Sequence, residues 1–281
     1  MKEMFRQKSS WMAAAWIGSL AAAAALSPWF FSISAAEMDL SHVLEAPSAA
    51  HFFGTDPLGR DVLARILSGG AVSLGVSVSA VLLALWVGTW LGAAAGYFGG
   101  WVEKSLLVLI DVMLCFPTFF LILAVVAILG PSAWNVMVIL GLTGWMGTAR
   151  LVRAEVLSLK EREFVLAARA LGAGSGRILF RHLIPNALGP VFVNGILGIS
   201  TAVLTETGLS FLGIGVQPPT PSWGNILTDG KATLGVAWWL SLFPGLVLFL
   251  TVLSFNVLGE RLAAGLRGEH LPAGQAGRNV P

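Results

Sequence analysis

"AVSLGVSVSAVLLALWVGTWLGAAA", residues 71–95, runs without one charged or proline side chain. An α-helix rises about 1.5 Å per residue and the hydrocarbon core of a bilayer is about 30 Å thick, so about 20 such residues cross it. Five more stretches meet that length: 11–33, 105–130, 132–150, 187–206 and 235–258. Only 11% of the chain is charged, against about 25% in an ordinary soluble domain, and the mean hydropathy is +0.80. The expected fold is all-α and polytopic, with six transmembrane helices.

Six spans put both termini on one side, and the cations choose which. With the N-terminus inside, 14 of the 17 Lys and Arg residues fall on inner segments, half of them between Arg150 and Arg181. Only Arg60, Arg65 and Lys231 fall outside. The positive-inside rule therefore places both termini and the 150–181 insert in the cytoplasm. Lys2, Arg6 and Lys8 ahead of an apolar run, with "SISAA" at 32–36, resemble a signal peptide. The run exceeds the usual apolar length of a leader, so a retained first helix is the preferred reading.

Several function classes drop out. Cys115 is alone, and His42, His51, His182 and His270 form no ligand pair, so neither a disulfide nor a metal centre is expected within the chain. A net charge of +2 gives no reason to expect nucleic acid. A membrane-embedded enzyme needs clustered polar groups in its spans, and Asp111 has no such company. A channel or secondary transporter that runs without an ATPase stays as an alternative; it is expected to carry intramembrane charges or broken helices, and a cytoplasmic docking helix is the feature that speaks against it.

The outer segments hold "GTDPLGRD", residues 54–61, and a Pro-rich stretch within 207–234. In the first, Thr55 or Asp56 suits a helix N-cap with Pro57 at the first helical position. Arg60 can pair with Asp56 or Asp61, and Gly54 and Gly59 punctuate the turn. The second is expected to form a rigid turn at the bilayer surface, since prolines forbid a continuous helix. Glu206 faces a translocation path or anchors that turn. Asp111 makes a pore-side or interhelical contact, or is a structural acid reaching Lys104 or the headgroups. Pro117 is expected to kink its span. Trp238 and Trp239 are expected to anchor at the interface. The tail from 268 onward is expected to fray.

The cytoplasmic insert is the least apolar part. Residues 154–171 lack Gly and Pro and read as one helix ended by Gly172. "GAGSGR", residues 172–177, is no phosphate loop, because it follows a helix and lacks the GK[ST] ending. Small side chains at Ala167, Ala168 and Gly172 allow another protein to approach closely, which points to a docking helix.

The insert resembles the EAA loop of ABC importer permeases, with Ala167, Ala168, Gly172 and Pro185 in register. Leu166 stands where that motif has Glu, and His182 where it often has Ile; Glu163 supplies an acid three residues earlier. "HFFGTDPLGRDVLARILSGGAVSL", "GYFGGWVEKSLLVLIDVMLCFPTFFLIL" and "LSFLGIGVQPPTPSWGNIL" are similar, in order, to stretches of the dipeptide/oligopeptide/nickel permease subfamily. The resemblance covers roughly residues 50 to 260. It implies a permease subunit of a binding-protein-dependent importer for di- or oligopeptides, or alternatively for nickel or a metal chelate. It divides the chain into an N-terminal span and outer segment (1–70), a permease domain (71–260) and a cytoplasmic tail (261–281). Glu163, Leu166, Ala167, Ala168, Arg169, Gly172 and Pro185 are then the residues coupling to an ATPase. Gly54, Thr55, Asp56, Gly59, Arg60 and Asp61 are the outer loop that meets a binding protein. Implied partners are a second permease, two cytoplasmic ATP-binding subunits, an extracytoplasmic solute-binding protein and membrane lipid. No cofactor is expected in this chain; ATP and Mg belong to the ATPase subunits. The implied location is the bacterial or archaeal inner membrane.

Overall fold

The structure is a computed structural model that describes residues 2–30 and 35–266. Part of the "SISAA" stretch and the tail from 267 lie outside the described residues. The described residues are helical, without a named strand. They comprise α1 (Lys2–Phe30), α2 (Val62–Phe98), α3 (Gly100–Leu114), α4 (Thr118–Leu129), α5 (Ala133–Leu159), α6 (Glu163–Ala170), α7 (Ser175–Ile178), α8 (Ile184–Phe211), α9 (Trp223–Ala232) and α10 (Trp239–Leu266). A π-helical turn, Leu179–Leu183, leads from α7 into α8.

Among the described residues, four helical stretches are long and apolar enough to cross a membrane: α2, α5, the run Ser175–Phe211, and α10. A fifth is made by α3 and α4 if that bent pair is one span. Trp86, Trp101, Val108, Ile128 and Phe192 stand exposed on this bundle. An apolar shell of that extent suits lipid, not water. The chain is a multi-pass membrane protein.

The bundle is built around α2, whose principal partner is α5. Gly88, Gly92 and Gly96 recur at every fourth residue, so they form one stripe along the helix. A Cβ on Gly88 would lie 2.7 Å from the Trp145 carbonyl, one on Gly92 2.4 Å from that of Ala149, and one on Gly96 2.9 Å from that of Arg153. The opposing carbonyls also recur every fourth residue, in the same direction. The two helices therefore run parallel with their backbones in near contact, the small-residue packing that substitutes for hydrophobic drive inside lipid. α10 and α8 form the second layer, and α1 packs along α10 and α2. The Trp16 indole donates to Thr251 Oγ1 at 3.2 Å.

Several expectations need correction. The second span begins at Val62, nine residues before the uncharged run, because Asp61 caps it by accepting from Ala64 N at 2.9 Å. Thr55 and Asp56 are not the cap, and Pro57 lies in the turn before the helix. Residues 154–171 are not one helix: α5 ends at Leu159 and α6 restarts at Glu163. The break lets the chain fold back and bury Val165 among Ala93, Val152, Val156 and Ile178. The outer stretch after Phe211 does turn tightly and contains a cis Pro218–Pro219 bond, but α9 follows it. Ser222 and Asn225 form the capping box that starts α9. Trp238 is exposed as an interface anchor should be. Trp239 is buried instead, and its indole donates to the Thr55 carbonyl at 3.0 Å.

Candidate functional site

Three places concentrate polar chemistry. The first is the turn at residues 54–61. The fully buried Asp56 accepts from Leu58 N at 2.8 Å and Arg60 N at 3.0 Å through Oδ1. Its Oδ2 takes Arg60 Nε at 2.6 Å and also Arg65 Nη1. Arg60 thus chooses Asp56, while Asp61 caps α2 and accepts from His51 Nδ1 at 3.0 Å. Arg65 Nη1 continues to Asp229 on α9 at 2.8 Å. Gly54 and Gly59 adopt positive φ of 75° and 72°. A Cβ on Gly59 would collide with the Asp39 carbonyl. This buried ion cluster ties the outer loop to α2 and α9, and the Trp239 indole on Thr55 ties it to α10. Beside it, Asp39 accepts from Ser41 and pairs with His42. These hydrogen bonds, from Ser41 first and then His42, lower the Asp39 carboxyl to about 2, and the Asp39 bond raises His42.

The second is a cavity of about 350 Å³ among the candidate spans, between α2, α4, α5 and α8. Thr118, Thr143, Thr148, Asn194, Thr201 and Thr205 supply its polar wall, and among the described residues no ionisable side chain lines it. Asn194 Nδ2 donates to Thr148 Oγ1 at 3.1 Å. Pro117 stands at its edge, where α3 and α4 bend by 82°, a complete break instead of a kink. Proline lacks the N–H that would continue α3 and holds the preceding residue away from helical geometry.

Three acids, Asp111, Glu103 and Glu206, stand apart from the cavity. Asp111 pairs with Arg150 on α5, not with Lys104. One face along, Glu103 accepts from Arg153 Nε at 2.7 Å. Glu206 is fully buried and accepts from Ser210 Oγ at 2.8 Å. Ser210 Oγ in turn accepts from Val216 N at 3.0 Å, so Glu206 reaches the Pro-rich turn and does not line the cavity. The cavity polar residues were missed in the sequence. Asn194, Gly198, Thr201 and Thr205 recur at spacings of four, three and four, one face of an apolar helix, and that periodicity was the available signal.

The third is the insert. Glu163 opens α6 and Arg169 lies in its last turn. Gly172 has φ +79° and completes a helix stop in which Ala173 N bonds the Ala168 carbonyl and Gly172 N that of Arg169, both at 3.0 Å. Only Val165 of α6 is buried. Phe164, Leu166 and Phe180 are exposed, Leu171 by 88%. Nothing lies within 4 Å of a Cβ placed on Gly172. Ala167 and Arg169 are exposed, Ala168 is half-buried, and Pro185 is exposed in the first turn of α8.

A family model described as the binding-protein-dependent transport system inner membrane component matches residues 88–268. The chain belongs to this family. Its dipeptide transport permease relative DppC, from Alkalihalophilus pseudofirmus, is 44% identical over 243 residues, 86% of this chain and 80% of the relative. The oligopeptide transport permease OppC of Haemophilus influenzae is 38% identical over 243 residues, 86% and 78% of the two chains. The glutathione transport permease GsiD of Pectobacterium atrosepticum is 40% identical over 228 residues, 81% and 76%. All three relatives of this inner membrane component are transport permease subunits. The bent pair α3–α4 is a broken span or a re-entrant loop, the feature also expected of a self-sufficient channel.

Proposed function

We propose that the chain is the permease subunit of an ATP-driven importer of di- or oligopeptides. The observation that carries this is the insert: a short helix anchored by one buried residue, Val165, and otherwise presenting exposed Phe164, Leu166 and Leu171. In a member of this family, such a surface suits docking into the groove of a cytoplasmic ATP-binding subunit. α1 then serves as the retained first span, the α3–α4 pair as the third, and both termini and α6 lie in the cytoplasm. The parallel course of α2 and α5 agrees with that topology, since both cross from outside to inside. The proposed permease domain, residues 71–260, begins within α2 and ends within α10.

Energy transfer follows from packing. Val165 sits in one apolar cluster with Ala93 of α2, Val152 and Val156 of α5, and Val191 of α8. A push on α6 therefore moves three of the four helices around the cavity. ATP-driven closure of two ATPase subunits would draw the coupling helices of this chain and a second permease together and open the bundle outward. ATP and Mg stay in the ATPase subunits, and the outer turn at 54–61 receives a solute-binding protein. Peptide is favoured over nickel because relatives named for dipeptide, oligopeptide and glutathione transport match most of the chain. The setting is a bacterial or archaeal inner membrane.

The test is purification of the chain from its native membrane in mild detergent, with mass spectrometry of what is retained and uptake of labelled dipeptides by cells with and without it. Recovery of a second permease with ATPase subunits, and loss of dipeptide uptake on deletion, is expected. A chain that purifies alone and whose deletion leaves uptake intact overturns the reading.

A further inference from the structure

The cavity between α2, α4, α5 and α8 has a chemistry that goes further than a passage. Among the described residues, its polar wall is made of hydroxyls and one amide, without an acid or a base. The protons of two of these hydroxyls are already spent: Thr143 Oγ1 donates to the Ile139 carbonyl and Thr205 Oγ1 to that of Thr201, both at 2.8 Å. A threonine that donates to its own helix keeps only lone pairs for anything else. The Asn194 amide spends one N–H on Thr148 and keeps its second N–H and its carbonyl oxygen. Thr118, Thr148 and Thr201 keep a proton and Asn194 an N–H, but all five hydroxyls and the amide oxygen can accept, so acceptor groups outnumber the free donors, six to four. Along α8, Asn194, Thr201 and Thr205 span about 16 Å at helical rise. An extended chain advances about 3.3 Å per residue, so that line faces about five residues of a strand-like peptide.

We infer that this wall is a contact site for peptide in transit, which holds main-chain N–H groups by neutral acceptors and is indifferent to the charge of the peptide's side chains. The inference rests on the peptide-permease reading above and adds to it how the chain handles its cargo. Inside a low-dielectric bundle a fixed charge would trap an opposite charge and repel a like one with energies far above those in water. A row of hydroxyl acceptors does neither. It offers weak, repeated bonds that are made and broken as each residue passes. Asp111 and Arg150, and Glu103 and Arg153, are paired with each other and are not among the cavity's lining residues.

The experiment replaces the wild-type chain in cells with Thr143→Val, Thr205→Val or the double variant. Valine keeps the shape and removes the acceptor. Thr233→Val, on the outer side beyond the cavity, is the control. Initial uptake rates are measured for Ala-Ala, Asp-Ala and Lys-Ala. The expected result is a several-fold fall in maximal rate, alike for all three peptides, with the half-saturating concentration changed less than two-fold and the control unaffected. Unchanged rates, or a fall that depends on the sign of the peptide's charge, overturn the inference. If the wild-type chain supports uptake of none of the three, the peptide reading itself fails, which is a separate result. Should the variants not reach the membrane, a diazirine-bearing dipeptide is photolysed on the intact wild-type transporter. Labelling of α5 and α8 at the cavity supports the inference, and labelling confined to other segments refutes it.

Discussion

Arg65 on α2 donates to the carboxylate of Asp229 on α9 at 2.8 Å, closing 164 residues of chain across the outer face. The same nitrogen also bonds Asp56, so one guanidinium holds a fully buried acid and a partly exposed one. Removing one member of a buried ion cluster strands the others, at a cost of about 3–5 kcal/mol. Asp56→Ala, which unpairs Arg60 and Arg65 together, is expected to fall in that range. Asp229 is a third exposed, so Asp229→Asn should cost only about 1 kcal/mol. Thermal unfolding of both variants in one detergent checks the order. Equal midpoints for Asp56→Ala and wild type would show that the cluster is dispensable.

Gly172 separates folding from coupling. Its φ of +79° strains any L-residue, yet the space around it is open. Gly172→Trp should therefore cost about 1 kcal/mol for the left-handed backbone and leave the bundle folded. The added indole would project from the surface proposed to enter the ATPase. Normal membrane levels with loss of co-purifying ATPase and of uptake are expected. Intact transport in this variant would remove α6 from the coupling path.

The glycine stripe is a packing prediction. Gly92→Leu drives a side chain against the Ala149 backbone, which has no rotamer to yield, so α2 and α5 must separate. Overpacking of this kind costs about 1–3 kcal/mol or more. Gly75 lies on the same helix with open space where its Cβ would be, and Gly75→Leu should change stability by no more than about 0.5 kcal/mol. Folded yield and unfolding midpoint of the two variants, side by side, decide it. Equal losses would mean that the stripe is not a contact.

How much of this could be read from the chain depends on the range of the interaction involved. Uncharged runs mark spans because lipid acts on each residue separately, and the spans of α2, α5, α8 and α10 were legible for that reason. Pro117 announced a bend by its own covalent chemistry, though not its size, which tertiary packing sets. Asp229 and Trp239 were unreadable as partners of Arg65 and Thr55, because nothing local encodes a contact 164 or 184 residues away. The end of α5 at Leu159 was hidden too. Good helix formers continue past it, and the chain turns back there to bury Val165 in a cluster drawn from α2, α5 and α8. The cavity was overlooked for a different reason: threonine in an apolar helix draws no attention singly, and its signal is the spacing.

The last prediction concerns pH and the outer loop. Asp39 is lowered to about 2, first by the Ser41 hydroxyl and then by His42. A depressed carboxyl contributes stability above its unfolded value of 3.8, and that stability is lost as pH falls toward 2. His42 is raised, by the Asp39 hydrogen bond first and by the charges of Asp39 and Glu45 after it. A raised imidazole contributes below its unfolded value of 6.5 and loses that contribution as pH rises through its folded value. Both contributions are therefore complete between pH 3.8 and 6.5, and above that window the turn at Asp39–His42 loosens first. His51 lies 5.8 Å from His42, ring to ring, but its own partner is Asp61. Asp39→Asn should bring the His42 midpoint down toward 6.5, read by the ring proton shifts in a nanodisc. Ser41→Ala should leave His42 raised while Asp39 moves up from about 2. A His42 midpoint unmoved by Asp39→Asn would break the pair and leave Glu45 as its governing charge.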